Sequence, residues 1–167
     1  GKCVERANDI GDAGTSRDFR SRPNPKLSVM LPTFRRPDAL ERTLRALEDQ
    51  SLSADDYEVV VVDDGSRDGT ESVLHAFAET TKLSFSYLVL KKNGGPARAR
   101  NFGLNRCRGE VVLIIGDDIE SASDFVRTHL QSHEQNPAVF HAVLGHVSFP
   151  EELQPSPFMK WLQQGGR

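Results

Sequence analysis

Asp117 and Asp118 follow the apolar run Val111-Val112-Leu113-Ile114-Ile115, with only Gly116 between. A run of that length has the content of a buried strand, and it ends abruptly in two adjacent carboxylates. Adjacent carboxylates repel, and burial raises at least one pKa. A divalent cation removes that penalty, and hard oxygen ligands suit Mg²⁺ or Mn²⁺. The same order occurs upstream, where Val59-Val60-Val61-Val62 runs into Asp63-Asp64-Gly65-Ser66. An Asp at that position can accept a hydrogen bond from a base N–H or a ribose hydroxyl, or it can cap its own loop as an Asx turn. Gly94-Gly95-Pro96-Ala97-Arg98-Ala99-Arg100-Asn101 sets glycines at a helix start and arginines in its first two turns. Backbone N–H and guanidinium groups there suit an anion. The stretch has neither GxGxxG nor GxxxxGK[ST] spacing, and in isolation it reads as a plain loop. His129 and His133 stand at i, i+4, a spacing that can bind zinc. No third ligand with motif spacing accompanies them, so an exposed helix face is expected.

Regular elements must bring these residues together. Leu27–Leu31 reads as a strand stopped by Pro32, followed by the loop Thr33-Phe34-Arg35-Arg36-Pro37. Asp38 is a candidate N-cap with Glu41 as its capping-box partner, and Leu40, Leu44 and Leu47 recur at helical spacing through 38–50. Tyr57–Val62 is a second strand, apolar on both faces. Thr70 is expected to cap a helix carrying Val73, Leu74 and Phe77. Phe85–Leu90 is a third strand, and Pro96 opens a helix as its first residue. Glu110–Ile115 is a fourth strand. Ser121 or Ser123 opens a helix to about Asn136, Val143–Phe149 is a fifth strand, and Phe158–Gln163 is a short final helix whose Trp161, Phe158 and Met159 are expected to pack it rather than hold a cofactor. Strands alternating with helices imply right-handed crossovers and a mainly parallel sheet. Ligands of such sheets bind beyond the carboxyl ends of the strands. The loops at 32–36, 63–69 and 116–120 then share one edge, which gathers Phe34, Asp63, Asp64, Asp117 and Asp118.

The 167 residues carry 21 basic and 24 acidic side chains, a net charge of −3. That balance argues against a general nucleic-acid or anionic-membrane surface. Cys3 and Cys107 are too few for a disulfide framework and fit a reducing cytoplasm. No apolar run reaches the roughly 20 residues of a membrane span. Residues 1–26 are polar and lack a hydrophobic period, so they read as a linker or tail, ordered only if docked. Residues 27–167 read as the ordered domain.

Four blocks, in order, resemble the family 2 glycosyltransferases of GT-A fold: Ser28-Val29-Met30-Leu31-Pro32-Thr33-Phe34, Val60-Val61-Val62-Asp63-Asp64-Gly65-Ser66, Gly95-Pro96-Ala97-Arg98-Ala99-Arg100-Asn101, and Ile115-Gly116-Asp117-Asp118. The resemblance runs from about Leu27 to the last residues. It implies a Rossmann-like α/β/α sandwich with a mainly parallel central sheet. It also implies transfer of a sugar from a nucleotide-diphospho-sugar, most often a UDP-sugar, to a glycan, lipid or small-molecule acceptor hydroxyl with inversion. By position, Pro32, Thr33 and Phe34 would line the base pocket and Asp64 would accept from the base. Asp63, Gly95, Arg98 and Asn101 would lie near the donor. The family's D-x-D falls on Gly116-Asp117-Asp118, with glycine in place of the first acid. Asp118 would then bind Mg²⁺ or Mn²⁺, and Asp117 would lie against the ribose or the water shell of the metal. The catalytic base of the family is an acid further along. Glu151-Glu152 follows Pro150 in an apparent loop and is expected to be solvated surface. The chain is therefore expected to be the donor-binding part of a longer, cytoplasmic enzyme, peripheral to the membrane only through parts lying outside it. A non-catalytic nucleotide-sugar-binding module is the alternative.

Overall fold

A computed structural model describes residues 7–137, 140–149 and 154–163. The chain divides into two compact units, Gly1–Asn136 and Pro137–Arg167. The expectations on Cys3 and on Glu151-Glu152 fall outside the described residues.

In the first unit, strands β1 (Ile10–Thr15), β2 (Leu27–Thr33), β3 (Tyr57–Asp63), β4 (Ser84–Leu90) and β5 (Val111–Ile114) form one sheet of order β1-β4-β3-β2-β5. The β2–β3, β3–β4 and β2–β5 pairs are parallel and β1 runs antiparallel to β4. Helices α1 (Pro37–Glu48), α2 (Thr70–Thr80), α3 (Pro96–Leu104) and α4 (Phe125–Gln135) complete the unit. Alternate strand residues divide the core into two faces, as the two-residue side-chain period requires. Leu27, Val29 and Leu31 with Val59, Val61, Phe85 and Val89 meet Leu40, Leu44, Leu47, Leu74, Phe77, Val126 and Leu130, so α1, α2 and α4 share one face. On the other face Val62, Leu88 and Leu90 meet Ala99 and Phe102 of α3. The three-layer α/β/α arrangement with a mainly parallel sheet is therefore present.

Five strands form among the described residues, but not the five expected. Val143–Phe149 makes no strand. A strand needs neighbours for its backbone groups, and these side chains are not covered: Leu144 is 98 % exposed and Val147 66 %. The fifth strand comes from the other end. Within the stretch read as a polar tail, Ile10–Thr15 is docked along β4, with Gly14 opposite Tyr87 and Thr15 opposite Ser86.

Helix starts also differ. α1 begins at Pro37, whose fixed φ suits the first helical position, and Arg36 rather than Asp38 is its N-cap. Thr70 is the first residue of α2, after an N-cap at Gly69. Asp68 accepts the Thr70 N–H at 2.8 Å, doing the work expected of Thr70. α4 starts at Phe125 because the preceding loop is tied to the end of α1: Gln50 donates to Ser121 Oγ and Ala122 O, and Ser51 N–H donates to Ser123 O. Strand β2 runs through Pro32 to Thr33 instead of stopping before it.

His129 corrects the expectation of an exposed histidine face. It is buried and meets Phe125 edge to face at 4.8 Å. Burial first, and His133 second, push its pKa below the ordinary 6.5. A depressed histidine pKa means the folded state binds fewer protons than the unfolded chain. The stability it contributes is fully present above about pH 6.5 and is lost as pH falls through its lower folded pKa. The expected result is a urea midpoint that falls between pH 8 and pH 5, with a smaller fall in His129→Leu. Parallel pH curves for the two proteins would refute this.

Cys107 follows α3 and donates to Gly103 O at 3.3 Å, and burial raises its thiol pKa to about 11. In the second unit, α5 (Pro157–Gln163) forms where a short helix was expected. Phe158 and Trp161 stack on one another at 5.8 Å, but both stay exposed. None of the described helices is long and apolar enough to cross a membrane.

Candidate functional site

The carboxyl ends of β2, β3 and β4 and the segment after β5 line one edge of the sheet. The parallel register puts Thr33 beside Asp63, and the Asp64 N–H donates to Thr33 O at 2.9 Å. The Thr33 hydroxyl donates to Asp117 Oδ2 at 2.7 Å. Thr43, on α1, donates to Asp117 O at 2.9 Å. Asp117 is buried by these contacts, so a hydroxyl satisfies one of its oxygens. Thr33, Asp63, Asp64 and Asp117 thus meet at one edge, as their spacing predicts.

The two acids after β3 divide the local work. Ser66 donates to Asp63 through both its N–H and its hydroxyl, the Asx-type loop anticipated for this stretch. Burial raises the Asp63 pKa, and the two Ser66 hydrogen bonds partly offset that. Asp64 faces the loop after β4. Its carboxylate accepts the Gly94 N–H at 3.0 Å and the Gly95 N–H at 2.7 Å. Arg98 Nη1 lies 4.0 Å from Asp64, and Arg98 also pairs with Asp9 at 3.2 Å. Asn101 lies one turn further along α3 with its side chain exposed. Phe34 and Pro32 are half-buried at the end of β2, and the Arg35 guanidinium lies 5.0 Å from the Phe34 ring. A partly open aromatic ring on that edge is a surface on which a planar base can stack.

Asp118 differs from its neighbour. Its side chain is 55 % exposed and pairs with Arg36, whose Nη1 lies 2.7 Å from Asp118 Oδ2 and 3.6 Å from Asp117 Oδ1. Both carboxylates therefore already face one positive centre. Carboxylate oxygens converging on a single cation are a donor set that Mg²⁺ or Mn²⁺ accepts, with phosphate oxygens and water filling the remaining positions. The residues fit such an ion. Arg36 was not anticipated. The only signal for it is a basic residue in the loop that follows Phe34, a poor guide among 21 lysines and arginines.

A second acidic cluster lies elsewhere. Asp12 on β1 and Glu71 and His75 on α2 bring one ligand atom each within 4.8 Å of one another. His75 Nε2 is 2.9 Å from Asp12 and 3.7 Å from Glu71. β1 and β5 are the two outer strands, so at about 4.8 Å per strand this cluster is roughly 19 Å across the sheet from the end of β5. It has no contact with Thr33 or Asp64 among those described. The Asp117–Asp118 pair is the carboxylate pair that lies with them.

Comparison with known proteins places this geometry in context. A profile of the family described as Glycosyl transferase family 2 matches residues 28–164. The uncharacterized glycosyltransferase YfnE of Bacillus subtilis is 35 % identical over 109 residues, covering 65 % of this chain and 27 % of that protein. A validoxylamine A glucosyltransferase of Streptomyces hygroscopicus is 32 % identical over 135 residues, covering 80 % of this chain and 31 % of its own length. The chain thus spans about a third of the length of these relatives. Among solved structures, TarS 1–349 of S. aureus in complex with UDP-GlcNAc superposes with a TM-score of 0.63 at 26 % identity, over 72 % of this chain and 37 % of that one. The mannosyltransferase PcManGT of Pyrobaculum calidifontis, in complex with GDP-Man and Mn²⁺, gives 0.62 at 28 % identity, over 70 % and 37 %. With the four sequence blocks converging on one edge of a mainly parallel sheet, and the profile matching most of its length, the chain belongs to the family 2 glycosyltransferases and has the GT-A fold.

Proposed function

We propose that this chain forms the donor side of a transferase that moves a sugar from a nucleotide-diphospho-sugar, a UDP-sugar above others, to an acceptor hydroxyl with inversion. The observation that carries the reading is the chain of contacts along one edge: Asp64 N–H to Thr33 O, Thr33 hydroxyl to Asp117, and Arg36 bridging Asp117 and Asp118. Phe34 and Pro32 offer the base a face. Asp64 holds the Gly94–Gly95 backbone and keeps the start of α3 in place. The first N–H groups of α3 and the Arg98 guanidinium suit a diphosphate. Asp118, with Asp117 beside it, would hold Mg²⁺ or Mn²⁺, which supplies charge stabilisation to the departing diphosphate. Inversion also needs a general base for the acceptor hydroxyl, and we assign none among the described residues. The pattern of two cysteines without a disulfide framework supports a cytoplasmic setting,.

Calorimetric titration with UDP tests this reading. UDP is expected to bind more tightly with Mn²⁺ present than without, and Asp118→Asn is expected to remove the metal-dependent gain while leaving the metal-free affinity near that of the unaltered chain. No UDP binding under either condition would overturn the donor reading. A metal gain that survives Asp118→Asn and disappears in His75→Ala would move the cation to the Asp12–Glu71–His75 cluster.

A further inference from the structure

We propose that Arg36 is a built-in counter-ion of the cation site: its guanidinium holds Asp118 in the free protein and competes there with a divalent cation. This rests on the donor reading above. Three observations carry it. First, the contacts are those of a cation already seated, 2.7 Å to Asp118 and 3.6 Å to Asp117. Second, the backbone aims Arg36 at the pair. It is the N-cap of α1, at the turn between β2 and the helix that also donates Thr43 to Asp117 O. Third, Gly116 lets Asp118 take up this position. An added Cβ at Gly116 would lie 2.8 Å from Asp118 Oδ1, closer than real contacts allow, so a side chain there would push the carboxylate aside. One Asp118 oxygen is folded over Gly116 and the other is engaged by Arg36. A metal ion bound by Asp118 therefore shares that carboxylate with the Arg36 guanidinium.

The competition is weak enough to be reversed. Both side chains are 55 % exposed, and ion pairs of that kind contribute little. A bare divalent cation approaching Asp118 gains one carboxylate but meets a guanidinium at close range. A cation arriving with a nucleoside diphosphate meets a different balance, because the displaced guanidinium then has phosphate oxygens to bond. Metal and nucleotide should therefore assist one another, and by linkage the assistance is mutual. Neutralising Arg36 should strengthen metal binding alone and shrink the coupling.

The test is a Mn²⁺ titration followed by electron paramagnetic resonance, without nucleotide and then with UDP. Every protein carries His75→Ala, so that the Asp12–Glu71–His75 cluster does not contribute. Without UDP, Arg36→Gln is expected to bind Mn²⁺ roughly five- to tenfold more tightly than the parent. Arg36→Lys, which keeps the charge, should stay within about twofold of the parent by the same electrostatic argument. UDP should then raise Mn²⁺ affinity less in Arg36→Gln than in the parent. Equal or weaker Mn²⁺ binding in Arg36→Gln, with binding still abolished by Asp118→Asn, would overturn the role of Arg36 and leave the donor reading intact. Mn²⁺ binding that Asp118→Asn does not change in either Arg36 background would overturn both, because Arg36 would then have no ion to compete with.

Discussion

Arg108→Ala is expected to lower the stability of the chain by about 3–5 kcal/mol, the cost of leaving a buried charge without its partner. Glu58 lies in β3 and is 0 % exposed. Its carboxylate accepts the Ser28 hydroxyl at 2.7 Å, the Arg108 N–H at 2.6 Å and Arg108 Nε at 2.8 Å. Arg108 continues to Ser84 Oγ at 2.7 Å, and its guanidinium stacks over Phe19 at 4.1 Å. The network therefore joins β2, β3 and β4 at the ends opposite the site, and ties them to the segment between β1 and β2. Removing the arginine side chain deletes the counter-charge and the Phe19 contact together, while the Ser28 and backbone donors remain. Glu58→Gln in the same chain removes the unpaired charge, so the double variant should recover part of the loss. Urea unfolding of the single and double variants reads both values. A single variant within about 1 kcal/mol of the unaltered chain would show that the pair contributes no more than a surface one.

The same network shows where sequence reading reaches its limit. The central strands were legible because both faces are covered: Val59–Val62 is an unbroken apolar run, as a buried parallel strand requires,. The ends of β3 and β5 were legible because each apolar run stops close to paired acids on one edge, whereas β2 runs on through the Pro32 expected to stop it. Glu58 and Arg108 are 50 residues apart, and no local pattern joins them. Strand β1 was missed for a different reason. Ile-Gly-Asp-Ala-Gly-Thr has the composition of a turn, and it becomes a strand through its neighbour. An added Cβ at Gly14 would lie 2.5 Å from the Tyr87 hydroxyl, so Gly14 gives the Tyr87 ring its space across the pair. Arg36 was missed because loop arginines are common and only the fold turns this one toward Asp117 and Asp118. The opposite error occurred at Val143–Phe149, where a strand-like composition forms no strand and none of the described residues pairs with it.

Asp64 carries the second large effect, and the structure changes what its loss means. Its carboxylate is 2 % exposed and is already engaged by the Gly94 and Gly95 N–H groups. A carboxylate has about four acceptor positions, so it can hold that loop and still accept from a base. Asp64→Ala should then act twice. Two backbone donors lose a charged acceptor, each such bond contributing about 1.5–3 kcal/mol, and the start of α3 loosens. UDP affinity is expected to fall by roughly 10- to 100-fold, the factor that losing one charge-assisted bond predicts. Asp64→Asn should rescue only part of it, because its one amide oxygen can accept from Gly94 and Gly95 as Oδ2 does, but without the charge,. Calorimetry with UDP gives the affinity, and amide exchange at Gly94 and Gly95 reports the loop separately. Faster exchange with UDP affinity within about twofold of the unaltered chain would make Asp64 a fastener of the loop alone and return the base-recognition role to Phe34 and Pro32. Faster exchange with the expected loss of affinity would mean that one buried carboxylate shapes the diphosphate end of the site and reads its base.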